Sequence, residues 1–159
     1  MARSGHTTRR VAAVSDVQVH AQWAFTRVGS VLVLCTQGEH EPPETDVDAW
    51  LIRVTQPDFS KILLHARGGT PDAKQRARLA AYWNKAPPPI PPCAVVTDSA
   101  LVRSVLVALS WISRFPFRAF AANELTSALQ YLEEADSLTK LSEAIETLHD
   151  ALERPQSAR

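Results

Sequence analysis

The sequence predicts a single α/β domain in which helices cover a mixed β-sheet. Apolar and polar residues alternate from Val17 to Phe25, as in a strand with one buried face. Short continuous apolar runs follow at residues 31–35, 62–64 and 93–96, as in strands that are buried on both faces. Segments with the i, i+3, i+4 spacing of helices separate these runs, which indicates an initial β-hairpin followed by βα units.

Charge and cysteine content narrow the class of protein. The chain has 159 residues, enough for one domain with a sizeable core. Its formal net charge is zero, which does not favour a nucleic-acid or anionic-membrane surface. Cys35 and Cys93 stand in apolar strand-like runs, as small buried hydrophobic residues do. Because we see no apolar window long enough for a membrane span and no signal peptide, we expect a cytoplasmic protein.

The elements of the N-terminal half follow in a regular order. Residues 1–15 lack periodicity and are expected to be a disordered tail before a domain at residues 16–134. Gly29 stands in the turn of the first hairpin. Thr45 is expected to cap the first helix. Thr70 is expected to cap the second, with proline at the first helical position, where its missing N–H costs least.

The C-terminal half is organised around an apolar βα unit at residues 93–114. Its helix, for which Ser99 is the expected cap, is apolar almost all round. Six of its residues share an arc that we expect to face the sheet: Leu101, Val102, Val105, Leu106, Leu109 and Ile112. A strand at residues 117–120 and another helix complete the domain. Residues 135–159 form a C-terminal amphipathic helix and tail, with apolar residues at steps of three and four.

Three segments carry a resemblance to a known family: KILLHARGG, AVVTDSALVRSVLVALSW and FRAFAANELTSALQYL. With these segments and this order of elements, residues 17–132 resemble the STAS-like family, in particular the SpoIIAA-like proteins related to bacterial anti-sigma factor antagonists. The resemblance implies a non-enzymatic regulatory module that binds a protein and needs no cofactor. In the antagonists a serine at the helix after the third strand is phosphorylated. The family's Asp-Ser-Ser-Gly motif is absent at that corner, and only Thr70 offers a hydroxyl there.

The helix that follows Ser99 is predicted to bind a partner through the side opposite its apolar arc. Val107 and Trp111 form an i, i+4 pair on that side, and an aromatic residue beside arginine is typical of interface anchors. We expect this side to bind another protein or a second copy of the chain, and not nucleic acid. The predicted contact residues are Ala100, Arg103, Ser104, Val107, Trp111 and Arg114. The alternative is that the C-terminal helix covers them.

The alternative function is the binding of a small ligand or an anion. Thr70 and Ser99 stand where helix N-terminal amides favour a phosphate group, so each is a candidate anion or phosphorylation site. A simple cap is the commoner role of Ser and Thr at such positions. A ligand-binding protein should have a concave pocket lined by Trp or Tyr near these helix starts. His40 has acidic neighbours but lacks metal-ligand spacing, so no metal is expected. No residues form a recognisable catalytic group, and we do not expect an enzyme.

Overall fold

Within the part of the chain that the structure describes, the sheet has six strands that lie side by side in chain order. The computed structural model describes residues 14, 16–111 and 113–154. The strands are β1 (Gln18–Val19), β2 (Trp23–Val28), β3 (Val31–Gly38), β4 (Lys61–Gly68), β5 (Cys93–Thr97) and β6 (Phe117–Phe120). Strands β1 to β3 pair antiparallel and β3 to β6 pair parallel. The predicted α/β class with a mixed sheet and an initial hairpin is confirmed.

Helices cover both faces of this sheet. Those of the described residues are α1 (Glu44–Val54), α2 (Ala73–Lys85), α3 (Ala100–Ser110), α4 (Leu125–Tyr131) and α5 (Leu138–Glu153). Because parallel strands need crossover connections, α1, α2 and α3 each join two neighbouring parallel strands. None of the helices that the structure describes is both long and apolar enough to cross a bilayer.

Each face of the sheet has its own apolar core. On the first face, Phe25 and Leu34 pack with Trp50 of α1 and Trp83 of α2. On the opposite face, alternate strand residues pack with Leu129 of α4 and Leu148 of α5, among them Ala24, Val33, Leu63 and Val96. Successive strand side chains point to opposite faces, so a strand covered on both sides is a continuous apolar run. This explains why β3 shows no alternation.

The strand predicted from Val17 to Phe25 is interrupted by a reversal of the chain, which corrects the sequence prediction. Gln18 pairs with Phe25 and Val19 with Ala24, so that β1 folds back antiparallel on β2. The reversal at residues 20–22 is held by a carboxylate from a distant part of the chain, described next. Periodicity along one strand cannot reveal such a contact.

Asp46 of α1 holds the start of β2, and Thr45 is not the helix cap that the sequence predicts. Helix α1 begins after Pro43 without a side-chain cap. The buried carboxylate of Asp46 instead accepts the backbone N–H groups of Ala21 (3.3 Å), Gln22 (2.7 Å) and Trp23 (3.0 Å). A buried carboxylate is stable when it accepts several hydrogen bonds in this way.

The C-terminal helix α5 packs within the same molecule. Leu141, Ala144, Ile145 and Leu148 are buried against β2 and β3, on the face opposite α1 and α2. The leucine pattern of the sequence therefore marks the side of α5 that belongs to the core. This helix does not cover α3.

Candidate ligand pocket

An apolar pocket of about 410 Å³ lies between the sheet, α2 and α3. Trp23 of β2, Trp50 of α1 and Trp83 of α2 contribute to its walls. Aliphatic residues of the strands and helices complete them, among them Ile62, Leu64, Leu79, Val95, Leu106 and Leu109. Small-molecule sites commonly occupy about 300–1,000 Å³ and are mostly apolar. The pocket therefore has the size and surface of a ligand site.

Helix α3 forms a wall of this pocket instead of packing tightly on the sheet. None of its residues, all of which the structure describes, is buried. Leu101, at the edge of the predicted arc, is 75% exposed. Five residues of the arc expected to face the sheet line the pocket between α3 and the sheet and are not buried, namely Leu101, Val102, Val105, Leu106 and Leu109. Ile112, the sixth, lies outside the described residues.

Aromatic rings form the wall of the pocket where α3 leads into β6. The rings of Trp83 and Phe115 stack with their centroids 4.3 Å apart. The Phe115 and Phe117 rings are tilted, with their centroids 5.8 Å apart. All three residues line the pocket. Such stacked and tilted pairs hold large rings in fixed positions. This wall is therefore built before any ligand binds.

Hydrogen bonds close the opposite end of the pocket around a cluster of glycines. Trp23 Nε1 donates to the carbonyl of Gly69 (3.1 Å), and Thr36 Oγ1 donates to that of Gly68 (2.7 Å). The Gly69 N–H donates to the Gly38 carbonyl (2.9 Å), and a Cβ on Gly68 would collide with the same oxygen. These glycines therefore allow β3 and β4 to approach closely, and the polar groups bonded here are not free for an anion.

Thr70 is not at the N-terminus of α2, which corrects the predicted cap. Asp72 is the N-cap: its carboxylate accepts the N–H of Gln75 (2.7 Å), and the Gln75 side chain accepts the N–H of Asp72 (3.1 Å). This reciprocal capping box occupies amides that an anion would need. Thr70 lies two residues earlier, exposed at the rim of the pocket. Its phosphorylation stays a prediction.

Ser99 is the cap of α3. Its Oγ accepts the N–H of Val102 (3.2 Å), while its own N–H donates to Thr97 Oγ1 (3.2 Å). Ser99 is half-buried and does not line the pocket. The structure therefore supports a capping role for this serine, and its phosphorylation likewise stays a prediction.

Arg76 is the only charged residue among the described residues that line the pocket. It is half-buried, and its Nη1 donates to the Pro71 carbonyl at 2.7 Å. Cys93 also lines the pocket, but burial raises the pKa of its thiol to about 12, so the thiol is neutral at physiological pH. A neutral thiol is a poor nucleophile. The described lining of the pocket is thus apolar with a single positive charge, that of Arg76.

The predicted partner-binding residues lie on α3 and just after it, and most are exposed. Trp111 is 85% exposed and Val107 is 53% exposed. Ala100, Ser104 and Arg114 are also exposed. Arg103 is half-buried, because its Nη1 donates to the Thr97 carbonyl (2.7 Å). We call Val107 and Trp111 the outer side of α3.

The described residues contain no group of three or more His, Cys, Asp or Glu side chains arranged to hold a metal ion. His40 is exposed in the loop before α1.

The residues that line the pocket, Arg76 among them, could not be identified from the sequence. Trp23, Trp50 and Trp83 are far apart in the sequence and meet only through the sheet. One signal was available: α3 is apolar almost all round, which a helix covering a sheet on one side does not require.

Comparisons of the chain with protein-family models, with curated proteins and with solved structures found no match. The fold and the pocket therefore define its class by themselves, as a small α/β domain with an apolar pocket beneath a loosely packed helix.

Proposed function

We propose that the protein binds an apolar small molecule in the pocket between the sheet, α2 and α3. The observation that carries this proposal is the pocket itself: about 410 Å³, with walls of aromatic and aliphatic side chains. The pocket with Trp walls is the feature expected of a ligand-binding protein. The helix N-termini expected to hold an anion play no part in this proposal, because Asp72 and Ser99 cap them.

The loose packing of α3 supports the same proposal. Val102, Leu106 and Leu109 face the pocket but are only half-buried. A bound apolar molecule would remove this surface from water, with a gain of roughly 25 cal/mol per Å². The ligand would thereby take the place of the core that α3 lacks. We therefore expect α3 to become more stable when the ligand binds.

The proposal is tested with N-phenyl-1-naphthylamine, a neutral apolar dye whose fluorescence increases in an apolar environment. The wild-type protein is expected to bind it saturably at one site. Ala80 lines the pocket and its neighbour Ala81 is exposed, so Ala80→Phe fills the pocket while Ala81→Phe is a matched control on the same helix. We expect the first variant to lose dye binding at least tenfold and the second to retain it.

Melting temperatures establish that both variants fold. Wild-type protein that shows no saturable dye binding would contradict the proposal. So would a folded Ala80→Phe variant that binds the dye as well as the wild type does.

A second candidate function is a non-enzymatic interaction module of the STAS-like or SpoIIAA-like type. It is favoured by the outer side of α3, where the Trp111 ring is 85% exposed. Burying a tryptophan is typical of interface anchors, and the exposed Arg114, three residues later in the sequence, would favour an acidic partner surface. In this proposal the partner is another protein or a second copy of the chain.

The second candidate is tested by sedimentation and by capture of proteins from native lysate. Trp111→Ala should weaken either association, whereas Ile52→Ala should not. Ile52 is the matched control because it is an exposed apolar residue (65%) on α1. A wild-type monomer at all concentrations, together with equal capture by both variants, would contradict an interface at Trp111.

A further inference from the structure

We propose that the ligand of the pocket is a single-chain amphiphile with an anionic head group, and that Arg76 binds the head. This inference rests on the proposed function of the pocket as an apolar ligand site. It adds the chemical class of the ligand and the residue that selects it.

The charge distribution of the pocket is the first argument. Arg76 is the one charged side chain among the described lining residues, and no carboxylate lines the pocket with it. Besides Arg76, the polar groups of the lining side chains are the hydroxyls of Thr36, Thr70 and Ser113, the indole N–H groups and the Cys93 thiol. The remaining lining side chains are apolar. A uniformly polar ligand would lose its hydration against these walls without compensation.

The hydrogen bonding of Arg76 is the second argument. A guanidinium has five N–H donors, and the structure assigns one bond to Arg76, from Nη1 to the Pro71 carbonyl. No acidic side chain of the described residues forms an ion pair with it. Arg78, two residues further along α2, differs because it pairs with both Glu44 and Asp48. Arg76 is therefore a cation held by one hydrogen bond to Pro71, and its other guanidinium N–H groups can donate to a ligand.

These two properties together select the ligand. A pure hydrocarbon would fill the apolar volume but leave the Arg76 donors without a new acceptor. A small anion such as phosphate would pair with Arg76 but leave the apolar walls in water. A chain with a terminal carboxylate satisfies both, because a carboxylate matches the planar guanidinium in a bidentate pair.

The experiment compares dodecanoate with dodecanol, which share a chain and differ in the head group. Each displaces N-phenyl-1-naphthylamine from the wild-type protein, and we expect dodecanoate to bind more tightly. Arg76→Gln should weaken dodecanoate binding about tenfold to a hundredfold and leave dodecanol and the dye unchanged. Lys74→Gln is the matched control, because Lys74 is an exposed cation on α2 that does not line the pocket.

Arg76→Lys keeps the charge, so it should keep part of the preference for the acid and serves if Arg76→Gln does not fold. Equal affinity of the wild type for acid and alcohol would overturn the inference. Equal weakening of both ligands in Arg76→Gln would also overturn it, since Arg76 would then only shape the pocket. If the wild-type protein binds the dye but not dodecanoate, only this inference is refuted. If the wild-type protein binds neither the dye nor dodecanoate, the proposed function is refuted as well.

Discussion

Nδ1 of His65, within β4, lies 2.9 Å from Nε2 of His149 in α5. His149 is buried, and its Nδ1 lies 3.1 Å from Gln37 Oε1, an atom that only accepts hydrogen bonds. Burial lowers the pKa of His149, so the ring is neutral at physiological pH. It therefore donates from Nδ1 to Gln37 and accepts at Nε2, which makes His65 the donor in the pair. Two neutral imidazoles thus join the C-terminal helix to the sheet.

This histidine pair should make stability depend on pH. Burial lowers the pKa of His149 from 6.5 to about 4, and the nearby Arg67 and His65 add to the effect. Burial and Arg67 also lower the pKa of His65, against an opposing effect of Asp98. The unfolded chain takes up protons below about pH 6.5 and the folded protein only at lower pH. The contribution of this pair to the free energy of unfolding should therefore be present in full above pH 6.5 and be lost as the pH drops toward 4.

Urea denaturation at pH 7.5 and pH 5 measures this dependence. The free energy of unfolding should differ less between pH 7.5 and pH 5 in His149→Gln than in the wild type. His40→Gln, at an exposed loop histidine, should show the same difference as the wild type. A wild-type difference that persists in full in His149→Gln would contradict the assignment.

Removing the Asp46 carboxylate should destabilise the protein. Asp46→Ala would leave three backbone N–H groups at the start of β2 without their acceptor. Each unpaired buried donor costs about 1–3 kcal/mol, although water can reach the two that are only part-buried. Asp48→Ala is the control on the same helix, because its pair with Arg78 is exposed to solvent and should contribute little to stability. Equal losses in urea denaturation would show that the Asp46 contacts are not important.

Helix α5 should contribute to the core through its buried side only. Leu148→Ala should reduce the free energy of unfolding by about 2–5 kcal/mol, because the side chain is fully buried against the sheet. Leu138→Ala should cost less, since Leu138 is 38% exposed at the first residue of the same helix. Thermal or chemical denaturation that gives the same loss for both would contradict this packing.

The four tryptophans should divide into one accessible ring and three protected rings. Trp23, Trp50 and Trp83 are buried around the pocket, while Trp111 is exposed. Iodide should therefore quench a single component of the fluorescence, and Trp111→Phe should remove it. Quenching that persists unchanged in this variant would mean that iodide enters the pocket.

The order of the elements could be predicted from the sequence because burial leaves a periodic pattern. The continuous apolar runs of β3 and β5 and the spacing of α5 indicated their positions correctly. Contacts between distant segments left no such pattern. The reversal before β2 depends on Asp46, more than 20 residues away, and the sequence pattern gave no sign of it.

The pocket was not predicted for a related reason. The apolar arc of α3 indicates that one side of the helix avoids water, but it does not indicate what fills the space beneath. The sequence indicates Thr70 as the cap of α2, because Pro71 follows it, whereas the cap in the structure is Asp72, two residues later. Asp72 prevails because Gln75, three residues later, completes the capping box.

During synthesis of the chain, β2 and β3 are made well before α5, the helix that packs on them. Cys35 of β3 and its neighbour Ile145 of α5 are 110 residues apart in the sequence. At ribosomal rates of about 5–20 residues per second, roughly 5–20 seconds separate the synthesis of the two. During that interval the face of β2 and β3 that α5 will cover has no covering helix. A nascent chain stalled before residue 138 should therefore present this apolar face to chaperones, and release of the completed chain should end that exposure.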